Sequence, residues 1–396
     1  MHTVFSRTSL LVSAVVFGGA LLYWIYLEQG PPEAAGLDTA TSIADVLGES
    51  SPAGFARALA PRQFVFPGDH GPHPEYRYEW WYFTGNLDTE EGQHFGFQLT
   101  FFRIGLTPKS PERTSAWATN QVYMAHFTLS DVANKRFYNF ERFSRGAAGL
   151  AGASSAPFRV WLEDWSVEGL GALRHSVPTM HLHAVEADIA LDLDVTSLKP
   201  VVLQGERGLS RKSAAPGNAS YYYSSTKLDT EGVITIEGKP FEVSGFSWMD
   251  REWSTSALAK DQLGWDWFGL QLSDGRELMF YQLRRRDGSV DPWSRGTVVN
   301  VDGSTQTLTP EDISIQVRDQ WRSPHSKARY PSRWRIQIPR QQLDLDVRPY
   351  LSDQELDVSF RYWEGAVSVT GTAYQAPVTG SGYVELVGYT DSVIGN

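Results

Sequence analysis

Carboxylates set among tryptophans are the part of this chain best suited to chemistry. In Gly245-Phe246-Ser247-Trp248-Met249-Asp250-Arg251-Glu252-Trp253, strand alternation puts Trp248, Asp250 and Glu252 on one face and Met249, Arg251 and Trp253 on the other. Glu79 stands in Tyr78-Glu79-Trp80-Trp81-Tyr82-Phe83-Thr84-Gly85-Asn86-Leu87, in register with Trp81. Acid catalysis on an apolar ligand needs a group that can give up a proton and a means of stabilising the positive charge that results. A carboxylic acid kept neutral by apolar surroundings can donate, and indole faces stabilise positive charge. Asp250, Glu252 and Glu79 are therefore the candidate acids, with Arg251 between two of them. Trp81, Tyr82, His126, Tyr222, Tyr223, Trp248, Trp253, Asp266 and Gln282 are the candidate lining of a ligand site. In the alternative, Arg251 pairs with an acid across a barrel mouth as a structural clamp.

Other chemistries find less support. Gly245-Phe246-Ser247-Trp248-Met249 lacks the second glycine of a nucleophile elbow, and the strand-rich pattern does not suit an α/β-hydrolase. His181-x-His183 puts two imidazoles on one strand face and His70 and His73 flank a tight turn, but no H-E-x-x-H is present. No metal or cofactor is expected. The net charge of −11 and the lack of any Lys/Arg run longer than three residues argue against nucleic acid. With no cysteine, disulfides, thiol nucleophiles and Cys-ligated zinc are excluded.

The elements that must position these residues read as strands. In the aromatic stretch at 78–87, Trp81, Phe83 and Leu87 share one face while Trp80, Tyr82 and Asn86 share the other, so both faces require cover. That suits a barrel wall. Residues 95–104 alternate Phe95, Phe97, Leu99 and Phe101 against Gly96, Gln98 and Thr100, completing a hairpin, and almost no segment has a helical period. An echo appears later: Trp267 matches Trp81, Leu272 matches Leu87, and Tyr281-Gln282-Leu283 matches Phe97-Gln98-Leu99. The expected fold is all-β, with two consecutive antiparallel barrels at 62–255 and 256–396. Residues 8–27 are uncharged and preceded by Arg7, and Tyr23, Trp24 and Tyr26 lie at the far end. Residues 1–30 thus read as a transmembrane helix anchoring a periplasmic body to the inner membrane, with a cleaved signal as the alternative, and 31–61 as a linker.

Asp69-His70-Gly71-Pro72-His73-Pro74, Glu79-Trp80-Trp81-Tyr82-x-x-Gly85-Asn86-Leu87, Tyr221-Tyr222-Tyr223-Ser224 and the Asp250-Arg251-Glu252-Trp253 segment together resemble the AttH-like, lipocalin-like family. Its members are often labelled predicted secreted hydrolases, and carotenoid 1,2-hydratases are distant relatives. The resemblance covers the chain beyond residue 60 and implies a pair of lipocalin-like barrels with a pocket for a lipophilic small molecule in or between them. It also implies partnership, in some relatives, with components of an ABC-type transporter. In the hydratases the segment resembles Asp-His-Asn-Trp, with the His thought to matter for protonating a double bond. Here that position is Arg251, which does not release a proton at ordinary pH. Protonation would then need another acid, such as Glu252 or Glu79. Two functions follow as expectations: acid catalysis on a lipophilic ligand, of hydratase/lyase or hydrolase type, or lipid binding and transfer without catalysis.

Overall fold

A strand with large rings on both sides needs two partners, and the computed structural model, which describes residues 53–109, 114–256 and 258–390, supplies both. The first sheet has thirteen strands. They begin with β1 (Tyr78–Asp88), β2 (His94–Gly105), β3 (Gln121–Asp131), β4 (Arg136–Arg145), β5 (Ala151–Ser155), β6 (Phe158–Leu162) and β7 (Trp165–Arg174). They continue with β8 (Val177–Glu186), β9 (Ile189–Ser197), the short β10 (Val202–Leu203) and β11 (Leu209–Arg211), β12 (Ala219–Ile236) and β13 (Lys239–Ser254). The ten-stranded second sheet holds β14 (Gln262–Leu272), β15 (Glu277–Arg285), β16 (Arg295–Val299), β17 (Thr305–Leu308) and β18 (Ser314–Arg322). It is completed by β19 (Arg329–Ile338), β20 (Leu343–Pro349), β21 (Glu355–Leu356), β22 (Tyr362–Ala373) and β23 (Ala376–Leu386). The helical elements among the described residues are two single 3-10 turns, Gly68–His70 and Pro339–Gln341. The fold is all-β with two barrel-like sheets. The apolar run at 8–27 lies outside the described residues, among which no helix is long and apolar enough to cross a membrane.

The two sheets follow one plan. The first runs β4-β3-β2-β1-β13-β12-β9, and the second repeats it as β16-β15-β14-β23-β22-β20 from the strand equivalent to β3 onward. The register of the echo differs from expectation by one residue. Phe83 and Phe268, like Leu87 and Leu272, face the interiors of their own sheets. Tyr82 therefore corresponds to Trp267 and Trp80 to Trp265, while the place of Trp81 is taken by Asp266. The sequence match between Trp81 and Trp267 overlooked that residues six and five positions from the shared leucine point to opposite faces.

Each interior is filled with side chains. Trp81, Phe83, Leu87, Phe97, Leu99 and Phe101 meet inward-facing residues of β3, β6–β9, β12 and β13 in the first core. Ala58 joins this core and Phe55 is also buried, so the end of the stretch read as a linker packs against the first barrel. A second core centres on Phe268, Leu270, Trp334, Ile336 and Val367. The third apolar cluster lies between the sheets, where the outward rings of β1, β12 and β13 (Tyr78, Tyr82, Tyr222, Trp248) meet Trp267, Met279, Tyr281, Tyr362 and Tyr383. Asn86 Nδ2 donates to the Gly382 carbonyl at 3.0 Å, and Gln271 Nε2 donates to the carbonyls of Thr226 and Ser247 at 2.8 and 3.0 Å. These bonds, made away from water, fix the spacing of the two faces.

One end of the first barrel is closed by a buried ionic network. Glu79 Oε1 accepts from His73 Nδ1 at 2.8 Å and Arg251 Nη2 at 2.7 Å, and Oε2 accepts from Arg103 Nε at 3.0 Å and the His73 amide at 2.9 Å. Arg251 also donates to the carbonyls of Trp80 and Gly71, each at 2.7 Å, and its guanidinium lies 4.1 Å from the Trp81 ring centre. Burial would raise the carboxyl of Glu79, but Arg251, His73 and Arg103 outweigh it and hold the acid far below the usual range. His73 stacks on Trp253 at 3.7 Å and bonds Asp69 through Nε2 at 3.1 Å. Burial lowers its proton affinity, and the bonds to Asp69 and Glu79 more than restore it, so both nitrogens donate and the ring is an imidazolium.

Because the cluster has no access to water, removing Arg251 takes one of three cationic partners from Glu79 and leaves the buried carbonyls of His70, Gly71 and Trp80 without that donor. Arg251→Met should cost about 3–5 kcal/mol in urea unfolding. Arg251→Lys should recover little, since an ammonium cannot reach both carbonyls and the carboxylate. A loss below about 1 kcal/mol for Arg251→Met would show that the network does not hold the barrel closed.

Candidate active site between the two sheets

The cavity that gathers the acids lies between the sheets, outside both barrel interiors. It has a volume of about 90 Å³. From the first sheet it is lined by Trp80, Tyr82, Phe102, Tyr222, Asp250 and Glu252, and from the second by Trp265, Trp267, Tyr281, Tyr362, Glu364 and Glu385. Lys212 closes one side. The lining follows from the pleat, because β1 pairs with β13 so that Tyr82 lies beside Asp250 and Trp80 beside Glu252, all turned away from the first core. In the second sheet Trp267 lies beside Glu385, and Glu385 beside Glu364.

Asp250 is held from three sides. Oδ1 accepts from Ser224 Oγ at 2.6 Å and Trp248 Nε1 at 2.7 Å, and Oδ2 accepts from Tyr222 Oη at 2.6 Å. Burial pushes its carboxyl up, the three donors pull it back only partly, and nearby Glu252 adds to the rise, leaving Asp250 at about 7. Trp267 Nε1 donates to Tyr222 Oη at 3.1 Å, tying this group to the second sheet. Glu252 pairs with Lys212 at 3.2 Å, and the Lys212 ammonium lies 4.2 Å from the Tyr281 ring centre. Burial lowers the Lys212 ammonium, but Glu252 and its neighbours raise it overall, so it stays charged.

On the opposite wall, Glu364 accepts from Tyr82 Oη at 2.7 Å and Glu385 from Trp265 Nε1 at 3.0 Å. Burial and the repulsion of Glu385 push Glu364 well above the carboxylate range, and burial with Asp250 and Glu252 pushes Glu385 to about 8. Behind the cavity, Tyr362 Oη meets His126 Nδ1 at 2.8 Å, and His126 Nε2 meets Glu141 at 3.1 Å. This phenol–imidazole–carboxylate chain runs from the cavity to a partly exposed acid.

The structure thus divides the residues that the sequence singled out. Asp250, Glu252, Tyr82 and Tyr222 line the cavity, Trp248 orients Asp250, and His126 stands one bond behind Tyr362. Glu79, expected as an acid facing a ligand, is locked in the ionic network, and Arg251 is its partner. Trp81, Tyr223 and Trp253 belong to the first core, with Tyr223 Oη at 2.6 Å from His70 Nδ1. Asp266 turns to the inner side of the second sheet, bound to Arg284 at 2.9 Å and to Tyr389, with Gln282 as its cross-strand neighbour. The pleat is the reason in each case, since these residues alternate with the cavity-facing ones. His181 and His183 meet Asp192 on the outer surface of the first sheet, with ligand atoms within 4.8 Å of one another, remote in chain and face from the acids. Glu364 and Glu385 went unnoticed in the sequence. Each is a lone acid inside an apolar strand, Tyr362-Trp363-Glu364-Gly365-Ala366 and Tyr383-Val384-Glu385-Leu386, and that was the available signal.

Carboxyls raised by folding bind protons more tightly in the native state than in the unfolded chain. Their contribution to stability is complete below about pH 4 and is lost as pH rises through about 7 to 8. The melting temperature should fall between about pH 4 and 8, and Asp250→Asn combined with Glu385→Gln should flatten that fall in a calorimetric pH series. An unchanged slope in the double variant would mean that these acids are ionised throughout.

The AttH-like family model matches residues 57–389. A Nitrosomonas europaea protein assigned as AttH has a crystal structure that superposes with a TM-score of 0.74 at 34% identity, covering 85% of this chain and 100% of that one. Kievitone hydratase from Fusarium solani subsp. phaseoli is 22% identical over 242 residues, 59% of this chain and 67% of the relative. The crystal structure of kievitone hydratase from Nectria haematococca superposes at a TM-score of 0.64 with 14% identity, covering 86% and 98% of the two chains, a likeness of fold. By its family match and by the fold it shares with a relative one-third identical to it, the chain belongs to the AttH-like family.

Proposed function

We propose that this protein is a hydratase-type enzyme that adds water to, or removes it from, an unsaturated lipophilic small molecule bound between the two sheets. The observation that carries the reading is Asp250, an acid buried among rings, fixed by three donors and raised to about 7. A carboxyl with that affinity holds its proton near neutrality and can deliver it, which is what a general acid requires. Positive charge developing on carbon would meet the faces of Trp80, Trp265 and Trp267 and the acidic wall of Glu364 and Glu385. Tyr362 would position the attacking water and pass its proton through His126 to Glu141. The similarity to kievitone hydratase supports the same reaction class. The uncharged run at 8–27 supports a membrane-anchored body facing the periplasm, where a lipophilic substrate arrives from the bilayer.

Incubation with kievitone and a panel of isoprenoid and polyene alkenes in oxygen-18 water, followed by mass spectrometry, should reveal a product carrying the label. Asp250→Asn should stay folded and lose about 10²–10⁴-fold in turnover. Full activity in Asp250→Asn would remove Asp250 from the reaction. A ligand recovered bound and chemically unchanged, with no labelled product from any substrate, would favour the alternative of a binding or transfer protein beside a transporter.

A further inference from the structure

The four acids of the cavity are not equally provided for. Asp250 has three donors, and Glu252 has the Lys212 ammonium. Among the described residues Glu364 and Glu385 together have only two, the Tyr82 phenol and the Trp265 indole. Glu364 is 0% exposed, and its second oxygen, Oε2, has no hydrogen-bond partner among the described residues. The two glutamates are direct cross-strand neighbours on β22 and β23, an arrangement that like charges disfavour. Lys212 already answers Glu252, so the cavity wall carries more acid than base.

An unsatisfied buried carboxyl is costly, and it is retained where a ligand completes it. A positively charged nitrogen would do so. It neutralises the pair, and the surrounding ring faces of Trp80, Tyr82, Trp265 and Trp267 suit a cation better than any neutral group. Tyr82 and Trp267 pack edge to face with centroids 5.4 Å apart, so the rings present walls that are already ordered. We propose that the Glu364–Glu385 wall is a subsite for an ammonium or substituted ammonium group carried by the ligand. This rests on the reading of the cavity as the substrate site, and it adds that the substrate is a lipophilic amine whose unsaturated carbon lies toward Asp250 on the facing wall. With the cavity empty, burial and mutual repulsion keep the pair protonated, and a proton leaves to solvent when the cation enters.

The probes are benzyltrimethylammonium and its neutral isostere neopentylbenzene, titrated calorimetrically into the protein at pH 7 in two buffers of different ionisation enthalpy. The ammonium should bind at least about tenfold more tightly. It should release about one proton per molecule bound, and the isostere none. In Glu364→Gln with Glu385→Gln the preference and the proton release should both vanish, while retained binding of the isostere shows that the cavity is intact. Equal or tighter binding of the isostere to the unaltered protein overturns the cation subsite and leaves the hydratase reading standing, as does ammonium binding without proton release. Failure of both probes to bind overturns the subsite together with the assignment of the cavity as a ligand site.

Discussion

The register between β1 and β13 is the constraint on which the rest of this molecule depends. Tyr82 opposite Asp250 and Trp81 opposite Arg251 means that one pair of strands serves two compartments at once. Inward, the pair supplies Glu79, Trp81, Arg251 and Trp253 to a dry barrel core, and outward it supplies Trp80, Tyr82, Asp250 and Glu252 to a cavity. A slip of one residue would exchange the two sets, burying Asp250 in the core and putting the Arg251 guanidinium in the cavity. The ionic network around Glu79 makes such a slip expensive, because Arg251 reaches carbonyls on both β1 and the turn preceding it.

That division gives the family motifs a physical meaning. The Asp69-His70-Gly71-Pro72-His73-Pro74 turn, the glutamate of the aromatic strand and the arginine and tryptophan of the Asp250–Trp253 segment converge on one buried cluster that closes the barrel. Asp250 of that segment faces the other way, into the cavity. Arg251 therefore stands outside the cavity, and its difference from the histidine of the carotenoid hydratases bears on how the barrel is closed. In the reaction proposed above, proton donation falls to Asp250, on the opposite face of the same strand.

The repetition of one sheet plan explains where the second set of acids comes from. Asp250 lies beside Tyr82 on β13, and Glu385 lies beside the equivalent Trp267 on β23, so the two walls present related groups across a shared space. The walls differ in what they offer their acids. The first surrounds Asp250 with three donors, and the second gives Glu364 and Glu385 one donor each among the described residues. Burial raises the acids of both walls, but the donors moderate it on one side and like charge aggravates it on the other.

The sequence by itself determined the strands, the absence of helical bodies in the described residues, the doubled hairpin, and which residues of the Trp248–Trp253 segment share a face. Those properties depend on alternation along a few neighbouring residues, which is local information. It also exposed the need to cover both sides of the aromatic strand. Only the tertiary structure decided what covers each side. A carboxylate such as Glu79 reads the same whether it meets two arginines or a void, and Arg103 and Arg251 reach it from opposite strands. Glu364 and Glu385 acquired their meaning in the same way, because their elevated proton affinity arises from burial and from each other, conditions created when the second sheet closes over the first.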